Sequence, residues 1–266
     1  VTATPAPQDD LGPDHLLLLE AVREAGALAL KYFRTDVDSW DKSPDNPVSE
    51  ADLAVDTLLR EQLTGARPDD GWLSEETEDT PDRLAKNRVW IVDPIDGTRA
   101  FLRGSPQFAV SAALVIDGHP VLGAVFSPAQ DEMFEAVKGG GARLNGTPIH
   151  VSGNTDPTRA RLLAAKQTFR THGWPEVADG AEFHFVNSMA YRMVVVADGR
   201  YDATITTTNK SEWDIAAAHL IVEEAGGAVT NVDGTPLTYN RPHVHHDNVL
   251  CAGKELHDVL VAGLKS

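Results

Sequence analysis

The chain has 266 residues, 42% of them hydrophobic, and a formal charge of −17 at pH 7 with its histidines neutral. That length and apolar content suffice for one large or two modest domains, while the acidic balance argues against a polynucleotide-binding surface, which needs clustered Lys and Arg. A single cysteine, Cys251, excludes an internal disulfide, and no apolar run is long enough to span a bilayer.

Residues 1–13 are rich in Pro, Thr and Ala and predict a disordered lead-in. They lack the basic and apolar blocks of a secretory signal, so a cytoplasmic location is expected. Over 16–33 apolar residues recur at helical spacing (Leu17, Ala21, Leu28, Tyr32), with Asp14 after Pro13 as the expected N-cap. The stretch 36–47 is polar and broken by proline, and its Lys42 is expected to be solvated. Ser49-Glu50-Ala51-Asp52 opens a second helical pattern with capping-box spacing, in which Asp52 reads as a carboxylate favoured at a helix start. At 71–77 a short apolar strand ends in Glu75 and Glu76, which in isolation predicts a solvated acidic loop.

Trp90-Ile91-Val92-Asp93-Pro94-Ile95-Asp96-Gly97-Thr98 is an apolar strand that stops abruptly in two carboxylates. Pro94 biases Asp93 toward extended backbone and Gly97 permits a conformation that a Cβ would resist, so the turn is stiff. Two carboxylates three residues apart, with the Ile95 carbonyl between them, are hard oxygen ligands for one or two cations of the magnesium type. Like charges held so close repel, which makes a cation their natural counter-charge. The same dipeptides also mark an ordinary surface turn, and local sequence alone leaves both readings open.

Beyond this turn, two β-rich runs joined by Asp117-Gly118 predict a hairpin, and the antiparallel pattern continues through Asn145-Gly146. Gly139-Gly140-Gly141 reads as a turn, because no Gly-Lys-Ser/Thr follows as a phosphate loop requires. A polar stretch at 152–158 suggests a domain boundary. Thereafter strands (162–166, 183–186, 201–206, 228–232, 248–252) alternate with helices (169–172, 189–197, 213–225), which argues an α/β layer. Asp214 opens the last of these helices and reads either as an N-cap or as a carboxylate presented by the helix start. His243, His245 and His246 beside Asp247 form a cluster of zinc-binding type, expected to be an adventitious loop feature. Cys251 is expected to pack within a strand. With no Gly-x-Ser-x-Gly motif, serine-hydrolase chemistry lacks its nucleophile.

Asp93-Pro94-Ile95-Asp96-Gly97-Thr98 followed by Phe101 resembles the signature of the inositol monophosphatase superfamily of magnesium-dependent, lithium-sensitive phosphomonoesterases. Trp213-Asp214-Ile215-Ala216-Ala217 and Glu224-Ala225-Gly226-Gly227 resemble its second signature, and the similarity runs from about Leu16 to the C-terminus. The resemblance implies a layered αβαβα sandwich, with an antiparallel α+β half at 14–152, a mixed α/β half at 153–266, and metals between them. It implies that Glu75, Asp93, the Ile95 carbonyl, Asp96 and Asp214 hold two or three Mg²⁺ ions, with Mn²⁺ able to substitute. Ser74 stands where the family pattern around Glu75 carries glycine, and Glu76 is a candidate one step further out. Lys42 matches a family loop close to the metals.

By the same resemblance Asp52 and Thr98, together with Glu75, activate and orient the attacking water, and Gly97, Thr98 and Asp214 contact the substrate phosphate. The implied partner is a small phosphorylated metabolite, with no polynucleotide and no membrane, and the implied assembly is a homodimer. Inositol-selective members carry a glutamate where this chain has Thr207, and Glu212-Trp213-Asp214 with His219 is more similar to the 3'(2'),5'-bisphosphate nucleotidase branch. Arg192 or Lys210 is a candidate contact for a second phosphate. Inositol-1-phosphate, histidinol phosphate and sugar phosphates stay open as substrates, as does a catalytically silent metabolite-binding regulator.

Overall fold

The computed structural model describes residues 11–44 and 46–264; the lead-in expected at 1–13 lies outside these as far as residue 10. Gly12 and Pro13 already belong to the first helix, because proline in the first turn has its φ preset and sacrifices no helical hydrogen bond. The elements are α1 (Gly12–Tyr32), β1 (Ser39–Ser43), β2 (Asn46–Ser49), α2 (Glu50–Ala66), β3 (Gly71–Ser74), β4 (Arg88–Asp96), α3 (Thr98–Leu102), β5 (Ala109–Ile116), β6 (His119–Ser127), β7 (Glu132–Val137), β8 (Ala142–Leu144) and β9 (Thr147–Pro148). The chain continues through β10 (Arg161–Leu163), α4 (Lys166–Thr171), α5 (Pro175–Gly180), β11 (Glu182–Phe183), α6 (Met189–Ala197), β12 (Ala203–Thr206), β13 (Lys210–Ser211), α7 (Glu212–Glu224), β14 (Gly227–Thr230), β15 (His245–His246), β16 (Val249–Gly253) and α8 (Lys254–Leu264).

A seven-stranded sheet runs in the order β3 to β9, antiparallel throughout except for the parallel pair β3–β4. Successive side chains on a strand face opposite ways, and in β4 both faces are covered. Trp90 and Val92 pack with α1 and α2, while Val89 and Ile91 pack with α6 and α7. That double burial is why β4 reads as an unbroken apolar run. A second sheet, in the order β11-β10-β12-β16-β14, turns Leu163, Val249 and Cys251 toward α6 and α7, and Leu162, Ile205 and Leu250 toward α4, α5 and α8. The layers therefore run α-β-α-β-α, the sandwich expected from the resemblance. Lying between two sheets, α7 is apolar all round (Ile215, Ala216, Ala217, Leu220, Ile221, Val222 are all buried). It approaches β6 so closely that a Cβ on Gly123 would stand 2.6 Å from the Ala217 carbonyl oxygen.

Local departures from expectation have local causes. Asp14 is not the N-cap of α1; it lies within the first turn, where its carboxylate takes Arg67 at 2.5 Å and Arg88 at 2.5 Å. The strand expected at 162–166 ends at Leu163 because Lys166 begins α4, and the strand expected at 183–186 stops at Phe183, leaving Phe185 exposed. Two helices, α5 and α8, add to those the sequence pattern predicts, and Leu256, Leu260 and Leu264 of α8 recur every four residues and are buried. At the β5–β6 hairpin Asp117 and Gly118 have φ of 50° and 79°, the left-handed pair that a two-residue turn needs. The glycine triplet is a turn, and the Gly139 and Gly141 amides each donate to the Glu224 carboxylate at 2.8 Å. No helix among the described residues is long and apolar enough to cross a membrane.

Candidate metal centre

Because β3 and β4 are parallel neighbours with Ser74 opposite Val92, the residues that follow each strand emerge at the same edge of the sheet. The Glu75 amide still donates to the Val92 carbonyl at 3.3 Å, which sets Glu75 beside Asp93. Asp93 lies opposite Ser111 of β5, whose hydroxyl reaches the Trp213 carbonyl at 3.4 Å and so ties the start of α7 to this edge. One carboxylate oxygen from each of Glu75, Asp93 and Asp214 lies within 4.8 Å of the other two, and no other such group of His, Cys or carboxylate side chains occurs among the described residues. That spacing and an all-oxygen donor set fit a hard divalent cation.

The turn after β4 is built to aim these groups. The ladder with β5 is interrupted between Asp93 and Asp96, a bulge that redirects the chain, and Asp93 Oδ1 accepts the Ile95 amide at 3.1 Å. Gly97 has φ 97°, and a Cβ there would meet the Gln107 carbonyl at 3.0 Å. Asp96 stands beside the trio; its Oδ2 accepts the Ser188 hydroxyl at 2.6 Å and the Ala190 amide at 2.5 Å, at the start of α6. Thr98 begins α3, with Oγ1 3.0 Å from Asp52 Oδ1 and 3.1 Å from the Ile95 carbonyl. Asp52 serves the helix start with one oxygen and meets Thr98 with the other. Its Oδ2 takes the Ser49 amide at 2.9 Å and hydroxyl at 2.6 Å as in a capping box, and its other oxygen meets Thr98. Asp214 is likewise not an N-cap: Ser211 is, and Asp214 Oδ2 accepts the Ser211 amide at 3.0 Å.

Lys42 is not simply solvated. It reaches from β1 to place Nζ 3.0 Å from Glu75 Oε1 and 2.7 Å from Glu76 Oε1. The resemblance places the Lys42 loop close to this centre, but not its pairing with Glu75 and Glu76; the role of Ser188 has one local signal, a serine directly before the helical pattern 189–197, which is an N-cap position.

Burial, and then crowding, raise the pKa values of the cluster and make its carboxyl groups weaker acids. Asp93 is held well above the ordinary carboxylate range, first by burial and then by Glu75, Asp96 and Asp214. Asp214, part of whose surface reaches solvent, is nonetheless desolvated by its surroundings and pushed up to about 8, with Asp96 and Glu75 adding to the effect. Burial raises Asp96 and Asp52 against the hydrogen bonds that oppose it, and pushes Glu76 up to about 7 despite Lys42. Without metal, protons relieve the repulsion; a divalent cation would take their place.

The histidine cluster disperses. His246 is buried in β15 against Tyr239 and its imidazole is pulled down to about 4 by burial, His245 lies 3.2 Å from the Ser211 hydroxyl, and His243 is exposed. Replacing His243 and His245 by Ala should leave Mg²⁺-dependent turnover essentially unchanged. Loss of turnover with a native circular dichroism spectrum would show that these imidazoles take part.

The model of the Inositol monophosphatase family matches residues 14–266. A histidinol-phosphatase from Chlorobaculum parvum is 34% identical over 235 residues, 84% of this chain and 87% of its own. A 3'(2'),5'-bisphosphate nucleotidase CysQ from Aggregatibacter actinomycetemcomitans is 32% identical over 239 residues, covering 85% and 88% of the two chains. Among solved structures, an inositol monophosphatase from Anabaena matches with a TM-score of 0.81 at 28% identity, covering 96% of each chain.

Proposed function

The chain belongs to the inositol monophosphatase family, whose members hydrolyse phosphomonoesters, and from that premise we propose that it is a Mg²⁺-dependent phosphatase of small metabolites with a preference for 3'(2'),5'-bisphosphate nucleotides. The observation that carries the metal assignment is the convergence of Glu75, Asp93 and Asp214 from β3, β4 and α7. In this proposal those three, the Ile95 carbonyl and Asp96 hold two or three ions, between a unit at 14–152 and a unit at 153–266. Bound magnesium supplies Lewis acidity to the phosphate and acidifies water.

The chain's own groups do the rest. Asp52 holds the Thr98 hydroxyl proton, so Thr98 Oγ1 turns lone pairs toward a water proton and orients the attacking oxygen. The Gly97 and Thr98 amides, at the start of α3, and Asp214 contact the phosphate end of the substrate. No covalent intermediate is required: Cys251 is buried, and burial keeps it a thiol. Thr98→Ala is expected to lower kcat on the order of 10²-fold with little change in KM, since orienting water matters in the transition state. A change confined to KM would make Thr98 a binding residue instead.

The substrate preference rests on a cavity of about 240 Å³ lined by Thr168, His184, Phe185, Arg192 and Thr206 to Thr208 among others. The Arg192 guanidinium stacks over Phe185 at 4.9 Å, donates Nε to the Val186 carbonyl at 2.5 Å, and is held below its ordinary pKa by burial, with the charge of Asp96 acting in the opposite direction. With Thr207 in place of a glutamate and a buried guanidinium in the same lining, the cavity suits a second anionic group better than a polyol hydroxyl. Homodimer formation, a cytoplasmic location and inhibition by lithium and by calcium belong to the same proposal.

Phosphate release should be measured with and without Mg²⁺ on adenosine 3',5'-bisphosphate, inositol-1-phosphate, fructose-1,6-bisphosphate and histidinol phosphate. Adenosine 3',5'-bisphosphate is expected to give the highest kcat/KM. A higher value for histidinol phosphate or inositol-1-phosphate would overturn the preference, and metal-independent release, or none, would overturn the mechanism.

A further inference from the structure

One turn beyond Asp52 on the same face of α2 lies Asp56, a buried carboxylate that no motif singled out. A buried carboxylate is costly unless its oxygens are satisfied, and each oxygen of Asp56 accepts from a hydroxyl. Oδ1 takes the Ser74 hydroxyl in a very short contact, and Oδ2 takes the Thr77 hydroxyl at 2.6 Å. These two hydroxyls flank Glu75 and Glu76. The loop is drawn tighter by the Glu76 amide on Ser74 Oγ at 3.4 Å and by the Trp72 indole N–H on Thr77 Oγ1 at 3.2 Å.

We propose that Asp56 is a positioning residue that clamps the main chain on both sides of Glu75 and so keeps the Glu75 carboxylate in register with Asp93 and Asp214. The clamp opposes the pull of Lys42, whose ammonium holds Glu75 from the β1 side at 3.0 Å. Helix α2 thereby sets two parts of the centre from residues four apart: Asp52 orients Thr98, and Asp56 orients Glu75. Half of the clamp belongs to this chain in particular, because Ser74 stands where the related pattern carries a glycine with no hydroxyl to offer. The role rests on the proposal that Glu75 is a metal ligand.

The test is Mn²⁺ binding, read from the electron paramagnetic resonance signal of the free ion, with the thermal midpoint of the metal-free proteins measured alongside. Asp56→Ala is expected to weaken Mn²⁺ binding by about tenfold or more, in the range typical of residues that orient metal ligands. Asp56→Asn, which retains one acceptor oxygen, should fall between Asp56→Ala and the parent. Ser74→Gly should weaken binding several-fold with little change in the metal-free midpoint, and keeps the inference testable if Asp56→Ala fails to fold. In the Glu75→Gln background, Asp56→Ala should cost almost no further affinity, since the group it positions no longer ligates. Unchanged affinity in folded Asp56→Ala and in Ser74→Gly, or fully additive losses in the double variant, would overturn the clamp. Unchanged affinity in Glu75→Gln alone would overturn the ligand assignment itself, and the role of Asp56 with it.

Discussion

Asp93→Asn is expected to lower Mg²⁺-dependent kcat/KM by about 10³-fold or more, and Asp214→Asn to do the same, since a loss of about 4 kcal/mol of transition-state stabilisation corresponds to that factor. Each change replaces one carboxylate of the trio, on β4 or on α7, by an amide of the same shape. The fold should survive. In the metal-free protein Asp93 is buried and crowded by Glu75, Asp96 and Asp214, so an amide removes a group whose charge is costly there. The thermal midpoint without metal should therefore hold or rise while the increase brought by Mg²⁺ shrinks. Near-normal turnover in either variant would sink the metal assignment, and a collapsed metal-free midpoint would mean that the carboxylates act in folding instead.

How much of this centre is legible in sequence depends on whether its cause is local. The turn Asp93 to Thr98 is local: proline, glycine and two carboxylates fix the backbone themselves, and both the bulge and the left-handed Gly97 follow. Asp214 is half legible, because the helix start is visible but not that Ser211, three residues earlier, does the capping. The Glu75 loop is illegible as a ligand on its own terms. Only the parallel pairing of β3 with β4 brings it to Asp93, and parallel partners leave no turn signature between them. Lys42 and Asp56 fail for the same reason: each looks like a solvated charge on its own element and acquires a partner only when the β1–β2 hairpin and α2 pack around the loop. The missed α8 is different, since its leucines at 256, 260 and 264 carried the helical period openly.

The metal-free protein should lose stability as pH rises from 6.5 to 8.5, opposite to the behaviour of a protein held by ionised, paired carboxylates. Burial pushes Asp214 up to about 8 in the fold from the 3.8 of a free aspartate, so above about pH 4 the folded chain holds a proton that the unfolded chain has released. Stability from such a group is complete below the unfolded value and is lost as pH climbs through the folded one. Glu76, pushed up to about 7, and Asp93, held well above its ordinary range, act in the same direction. His246, drawn down to about 4, and His257, also lowered by burial, act in the opposite sense, but only below about pH 6.5, where the unfolded chain takes up protons that the buried rings refuse. Between pH 6.5 and 8 Asp214 alone accounts for about 2 kcal/mol, or roughly 5 °C in the thermal midpoint of a chain this size. Saturating Mg²⁺ should reverse the trend, since it takes the place of those protons: the metal-induced rise in midpoint should grow with pH, and titration calorimetry in buffers of different ionisation enthalpy should register proton release on binding. A metal-free midpoint that is flat or rising across this window, with metal affinity independent of pH, would mean that the carboxylates are already ionised without metal and that repulsion among them is relieved by something other than a cation.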